Sequence, residues 1–257
     1  MSTSELKKEN KRICMLDELR GVAIIAMVIY HTLVSMVFIY NLEFSYEIFF
    51  KAQRLQPLIP ITFITLCGIS CSLSKNNLKR GVRIFAIALI VTLVTFLFMP
   101  QMVIVFGILH FLGLALIMYS LLKRYTDKIK NSIGIVVSLL LYIITYSIPY
   151  GYIGFKSLIY FNLPSQLYSV YPLFIIGLPT PDFYSGDYFP IVPHLFLFFT
   201  GIFIGKILKE KGAPKLMYKK LCPPLDFIGK YSLVIYVVHQ PAIIGVLYLL
   251  VEVFKVL

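Results

Sequence analysis

The sequence predicts an all-α protein: a polytopic membrane helix bundle of about seven transmembrane helices, with its N-terminus inside. Three observations carry that expectation. Of the 257 residues, 59% are hydrophobic and only 14% charged, and the mean hydropathy is +0.85. A soluble chain of this length needs more charge to cover its surface, so lipid must cover much of this one. The apolar residues fall into runs near the ~20 residues that cross ~30 Å of hydrocarbon as a helix. Lys and Arg, finally, gather in alternate segments between those runs.

The first run, 21–40, follows the charged segment 1–12. It is long for a signal-peptide core and lacks a small-x-small cleavage site, so it reads as a retained first helix. The second, 57–74, is short, and its Pro57 and Pro60 suit a first turn. Runs 82–99, 102–122 and 131–149 supply the third to fifth helices, 189–208 the sixth and 232–253 the seventh. Residues 150–188 include Tyr171–Pro179, too short and proline-rich to span easily. They read as an outer loop, with a re-entrant part covering a cavity left open.

Charge orients the map. With the N-terminus inside, residues 1–20, 75–83, 123–130 and 206–230 face the cytoplasm and hold 20 of the 24 Lys and Arg. Only Lys51, Arg54, Lys156 and Lys255 remain outside. An eighth helix in 150–188 would flip the last basic segment and destroy that asymmetry. The net charge of +12 is therefore explained by the positive-inside rule, and nucleic-acid binding is not expected. No repeat, low-complexity tract or flexible linker divides the chain, so 1–257 reads as one membrane-embedded domain. Its setting is a cytoplasmic (inner) membrane, multi-pass, with the lipid bilayer as its first partner; a homo-oligomer stays open.

The four cysteines do not form a disulfide framework. Cys67 and Cys71 lie one helical turn apart in an apolar run, where packing accounts for them. Cys14 and Cys222 fall in basic segments of the reducing side. No Cys or His pair has zinc-ligand spacing with partners nearby, so no metal is expected.

In a membrane chain the informative residues are ionisable ones at depth. Arg20 and His31 are eleven residues apart on the first helix. At 100° per residue that is three turns plus about 20°, so they share a face about 16 Å apart along the axis. Asp17, one turn before Arg20, can pair with it. The bland reading of Arg20 is a juxtamembrane cation. For His31 at depth, function is the better reading. His110 sits between Gly107 and Gly113, about 12 Å into the fourth run, where the glycines are equally explained by close helix packing. His239 precedes Pro241, which frees a helix carbonyl, so the imidazole can serve as a kink stabiliser. His194 is the weakest of the four. Asp187, before Pro190, reads as an ordinary N-cap of the sixth helix or as a carboxylate orienting a polar acceptor.

Taken in order, these residues resemble a known family. Leu16-Asp17-Glu18-Leu19-Arg20-Gly21 followed by His31 resembles the Arg-x10-His signature of the transmembrane acyltransferase superfamily. Within it the chain is most similar to the heparan-alpha-glucosaminide N-acetyltransferase catalytic-domain family, in its short bacterial form. The further matches are Thr65–Ser70, Gly107–Gly113, Gly186–Pro190 and Gly229–Pro241, so the resemblance runs from residue 16 to 241. One departure is His194 after Pro193, where tryptophan is expected; the chain has no Trp at all. The resemblance implies transfer of an acetyl or related acyl group from cytosolic acetyl-CoA, or another acyl-CoA, to a sugar-like or glycan acceptor at or across the membrane. It implies that a histidine is catalytic, and His31 holds that position.

The residues read on their own fit such chemistry. A thioester donor needs no metal; it needs a base or a nucleophile, and imidazole can be either near neutral pH. Candidate catalytic residues are His31, His110, Asp187 and His239. Arg20, Lys79, Arg80 and Arg83 are candidates to bind the phosphates of acyl-CoA, although the positive-inside rule accounts for any single lysine. The rival class is a small proton-coupled transporter or flippase, which deep histidines would also suit. No inverted repeat and no second acidic proton carrier at depth supports it. A non-catalytic scaffold leaves the deep histidines unexplained.

Overall fold

The computed structural model describes residues 12–154 and 161–255. The basic N-terminal residues up to 11, and Lys156, lie outside the described residues. The chain is an all-α polytopic helix bundle. Its helices are α1 (Cys14–Phe38), α2 (Tyr46–Gln53), α3 (Leu58–Leu73), α4 (Asn77–Phe98), α5 (Ile108–Thr126), α6 (Asn131–Thr145), α7 (Ile191–Lys211), α8 (Pro223–Lys230) and α9 (Ser232–Tyr248). Each of the seven apolar runs contains one long helix. Among the described residues six helices are long and apolar enough to cross a membrane, and Glu43–Gln53 with Leu58–Leu73, bent by 49°, form either a broken seventh span or a re-entrant loop. Pro60 lies in the first turn of α3, as the sequence implies.

The chain divides into two compact units, Met1–Ile59 with Gly212–Leu257, and Pro60–Lys211. In the first, the short α8 crosses the start of α1 with the two backbones touching. A Cβ on Gly229 would collide with the Asp17 carbonyl, and one on Gly21 with that of Leu225, so only glycine permits the crossing. Buried Leu16, Ala23, Ile24 and Met27 line the packed side of α1. In the second unit Gly68 of α3 and Gly201 of α7 likewise leave no room for a Cβ against the facing backbone. Small residues let helices approach where lipid supplies no hydrophobic drive. Exposed Leu89, Ile90, Leu93 and Phe96 of α4, and Val136, Val137 and Leu140 of α6, form the apolar faces that lipid would cover.

Two sequence expectations need correction. The apolar run from 102 implies a helix from that point, but α5 begins at Ile108. The preceding backbone is satisfied without a helix: Thr92 Oγ1 donates to Ile104 O at 2.6 Å, Ile104 N–H donates to Thr95 Oγ1 at 3.1 Å, and Val105 N–H to Ser185 Oγ at 3.0 Å. An extended stretch with those partners has no reason to coil. His110 consequently stands in the first turn of α5 rather than ~12 Å within it. Asp187, in turn, caps a different helix. Its Oδ2 accepts the Ile108 N–H at 2.9 Å, so it closes the N-terminus of α5, while α7 starts only at Ile191.

The stretch 150–188 holds no spanning helix among its described residues. It has a two-stranded hairpin, β1 (Tyr152–Ile153) with β2 (Phe161–Asn162), and 3-10 turns at Ser165–Tyr168 and Tyr171–Ile176. Stacked Phe174 and Phe183, with ring centroids 4.6 Å apart, hold the second turn against the loop.

Candidate active site

Two groups of polar side chains stand out, one in each unit. In the first unit, helix α1 is unbroken from Cys14 to Phe38, so the spacing that puts Arg20 and His31 on one face holds along it. At its start Asp17, 4% exposed, receives Arg20 Nη1 at 2.6 Å and Arg12 Nε at 2.7 Å. Beside it the buried Glu18 accepts the Cys222 N–H at 2.8 Å, tying α1 to the residue before α8. Asp226 of α8 receives Lys230 at 2.5 Å and Lys220 at 3.5 Å. The Lys230 ammonium holds the Asp226 carboxyl below its ordinary range, and the Asp17 carboxylate raises the Arg12 guanidinium above its own.

Further along α1, His31 meets His239 of α9 edge to face, with ring centroids 4.9 Å apart. Tyr30 and Tyr236 flank the pair. Nδ1 of His239 donates to the Tyr236 carbonyl at 2.5 Å, a bond that puts its proton on Nδ1 and the lone pair on Nε2. Beyond this pair, Gln240 Nε2 donates to Ser35 Oγ at 3.1 Å.

In the second unit His110, 3% exposed, has both ring nitrogens occupied. Nδ1 accepts the Gly107 N–H at 3.2 Å, which leaves Nε2 to donate to Thr92 Oγ1 at 3.1 Å. The Thr92 proton is itself directed at Ile104 O. Stacked Phe106 and edge-on Phe85 complete the cage. Asp187 caps the same helix start. His194 Nδ1 donates to the Pro190 carbonyl at 2.9 Å.

Lys79, Arg80 and Arg83 occupy the first two turns of α4. Lys79 and Arg83 are exposed and Arg80 half-buried. No ion pair engages any of the three among the described residues. Cations at a helix N-terminus oppose its dipole, so local helix stability does not account for them. Phosphate would be drawn both to the cations and to the N-terminus.

Compared with known protein families, the chain matches the model for heparan-alpha-glucosaminide N-acetyltransferase, catalytic, over residues 12–241. It belongs to that family. No curated relative and no solved structure matches the chain. The heparan-alpha-glucosaminide N-acetyltransferase match takes in α1 to α8 and ends at Pro241 inside α9. It therefore includes His31, His110, His194, His239, Asp187 and all four candidate phosphate-binding cations. The protein is thus a multi-pass membrane protein of an N-acetyltransferase family.

Sequence reasoning passes over Glu18, Asp226, Ser35 and Gln240. For Gln240 the signal is present, since it is an uncharged polar side chain in an apolar run beside a histidine. The tie of Glu18 depends on α8 folding back on α1, which no local pattern announces, whereas Asp226 and Lys230 are an i,i+4 pair whose spacing carries the signal.

Proposed function

We propose that the protein is an acyl-CoA-dependent membrane acyltransferase whose His31 imidazole performs the transfer to an amine or hydroxyl of a sugar-like acceptor. The observation that carries this reading is the contrast among the histidines. His110, His194 and His239 each spend a ring nitrogen on the backbone, whereas His31 makes no hydrogen bond among the described residues and meets only rings. An imidazole placed at depth without a structural bond retains its lone pair and proton for chemistry.

As a base, His31 takes the acceptor proton while the acceptor nitrogen or oxygen attacks the thioester carbonyl. The C–S bond breaks, and the imidazolium returns the proton to the leaving thiolate. As a nucleophile it first takes the acyl group itself, expelling CoA as the thiolate, and in a second step passes it to the acceptor, whose released proton neutralises that thiolate. Both routes balance, and both make His31 indispensable. His239, with its Nδ1 bound to Tyr236, is a positioning residue for the His31 ring. His110 and Asp187 order the start of α5.

For the donor, Lys79, Arg80 and Arg83, which make no ion pair among the described residues, suit the phosphates of acyl-CoA. Arg20 is the other cation assigned to it, a guanidinium at the start of α1 on the same face as His31. The positive-inside rule supports a cytoplasmic N-terminus, a single domain in a cytoplasmic membrane, and donor approach from inside.

The test uses protein purified in detergent, supplied with acetyl-CoA and glucosamine, and follows free CoA thiol and acetylated amine together. Acceptor-dependent release of CoA is the expected result. Absence of release with any amine would overturn the reading, and proton movement by the same protein in vesicles would then favour transport.

A further inference from the structure

Helix α1, with Tyr40 just past its end, meets α9 along three rungs. His31 and His239 touch edge to face, Gln240 donates to Ser35, and Tyr40 Oη donates to the Ile244 carbonyl at 3.0 Å. Ser35 is one turn beyond His31, on the same face of α1. Gln240 follows His239 directly.

The middle rung is incomplete. Gln240 Oε1 is buried and has no hydrogen-bond partner among the described residues, and Ser35 is completely buried. Buried carboxamide oxygens are nearly always paired, and hydrocarbon offers no water to relieve one that is not. Reversing the amide would only exchange an orphaned oxygen for an orphaned NH₂. If the pair served merely to join two helices, a hydroxyl would suffice. Ser138 and Thr200 join α6 to α7 that way, at 2.8 Å, and neither hydroxyl is left unpaired. A glutamine beside the histidine pair, held by one end and unpaired at the other, is arranged for a ligand.

We propose that Gln240, oriented by Ser35, binds the acceptor: its amide hydrogen-bonds a hydroxyl neighbouring the reacting amine, and so selects hydroxylated acceptors over plain amines. The inference rests on the acyl-transfer reading of His31. In that reading the acceptor reaches His31 with its reacting nitrogen, and its neighbouring hydroxyl falls to the next turn of α1, where Gln240 waits.

Two probe acceptors test it, glucosamine and cyclohexylamine, which carry an amine on a six-membered ring with and without hydroxyls. The protein should acetylate glucosamine with a kcat/KM at least about 10-fold higher, since a site built to bond a hydroxyl penalises its absence. Gln240→Met should erase that preference by lowering the glucosamine value, with the cyclohexylamine value and the KM for acetyl-CoA unchanged. Ser35→Ala, which frees the amide without removing it, should weaken the preference in the same direction and serves if Gln240→Met does not fold. Retention of the full preference by a folded Gln240→Met or Ser35→Ala protein overturns this proposal alone. A wild-type protein that acetylates neither amine overturns it together with the acyl-transfer reading.

Discussion

His31 and His239 meet with ring centroids 4.9 Å apart, although they lie in the first and last long helices of the chain. The Tyr236 carbonyl holds Nδ1 of His239, so one ring of the pair is anchored and the other is positioned against it. In the proposed mechanism that asymmetry gives His239 the positioning role and His31 the chemistry.

His31→Gln should lower acetyl transfer by about 100-fold or more, the usual cost of losing a general base or nucleophile. Expression, detergent stability and acetyl-CoA binding should stay near wild type. His239→Gln, which removes the anchored ring, should cost about 10-fold, and His110→Gln should act mainly on stability. Turnover of all three variants in the coupled thiol assay checks the order. Loss confined to His110→Gln would move the chemistry to α5.

Replacing Lys79, Arg80 and Arg83 by Ala should raise the KM for acetyl-CoA by about 10-fold for each phosphate hydrogen bond removed. Added salt should narrow the difference. Lys211→Ala, an exposed cation at the end of α7, should leave KM within about twofold. Equal effects from Lys211 and from the α4 cations would reduce the site to bulk electrostatics.

Asp187→Ala removes the acceptor for the Ile108 N–H and should destabilise the protein by about 1 kcal/mol, the typical value of an N-cap. Asp187→Asn keeps an oxygen in place and should preserve both stability and turnover. Thermal melting in detergent and the transfer assay, run side by side, read the two effects. Lost turnover with an unchanged melt in Asp187→Asn would show that the negative charge itself acts on the acceptor.

The Asp226–Lys230 pair lies outside the spanning helices and makes stability depend on pH. Because the folded protein holds the Asp226 carboxyl below its ordinary value, the contribution is complete well above the unfolded carboxylate pKa of about 3.9. It is lost as pH falls through that value toward the lower folded one. Asp226→Asn should therefore melt lower than wild type at pH 7, with the gap closing as the pH approaches about 3. A gap that is constant with pH would show that the Lys230 pair contributes nothing.

Much of this architecture is legible in the residues. The seven apolar runs each contain a long helix, because length and hydropathy are local properties and the bilayer is a strong selector. Asp17 and Arg20 are paired as their one-turn spacing implies. The Arg20 and His31 motif and its companions point to the same family that the match over residues 12–241 shows. The start of α5 is not legible in this way, because apolar residues 102–107 look helical in isolation while Thr92, Thr95 and Ser185 satisfy their backbone in another form.

By itself the sequence determined which segments enter the membrane, which residues are ionisable within them, and which face of α1 carries Arg20 and His31, since periodicity and transfer free energy act along a single segment. Only the tertiary structure decided how each polar group is used. His110 is bound at both nitrogens by Gly107 and Thr92, Asp187 caps α5 rather than α7, and Gln240 rests on Ser35 with its oxygen unpaired. Hydrogen bonds are short and directional, and their partners here lie up to 205 positions apart in the chain. For pairs such as Gln240–Ser35 and Asp187–Ile108, which donor finds which acceptor is therefore settled by the tertiary fold, and no short window of sequence contains both.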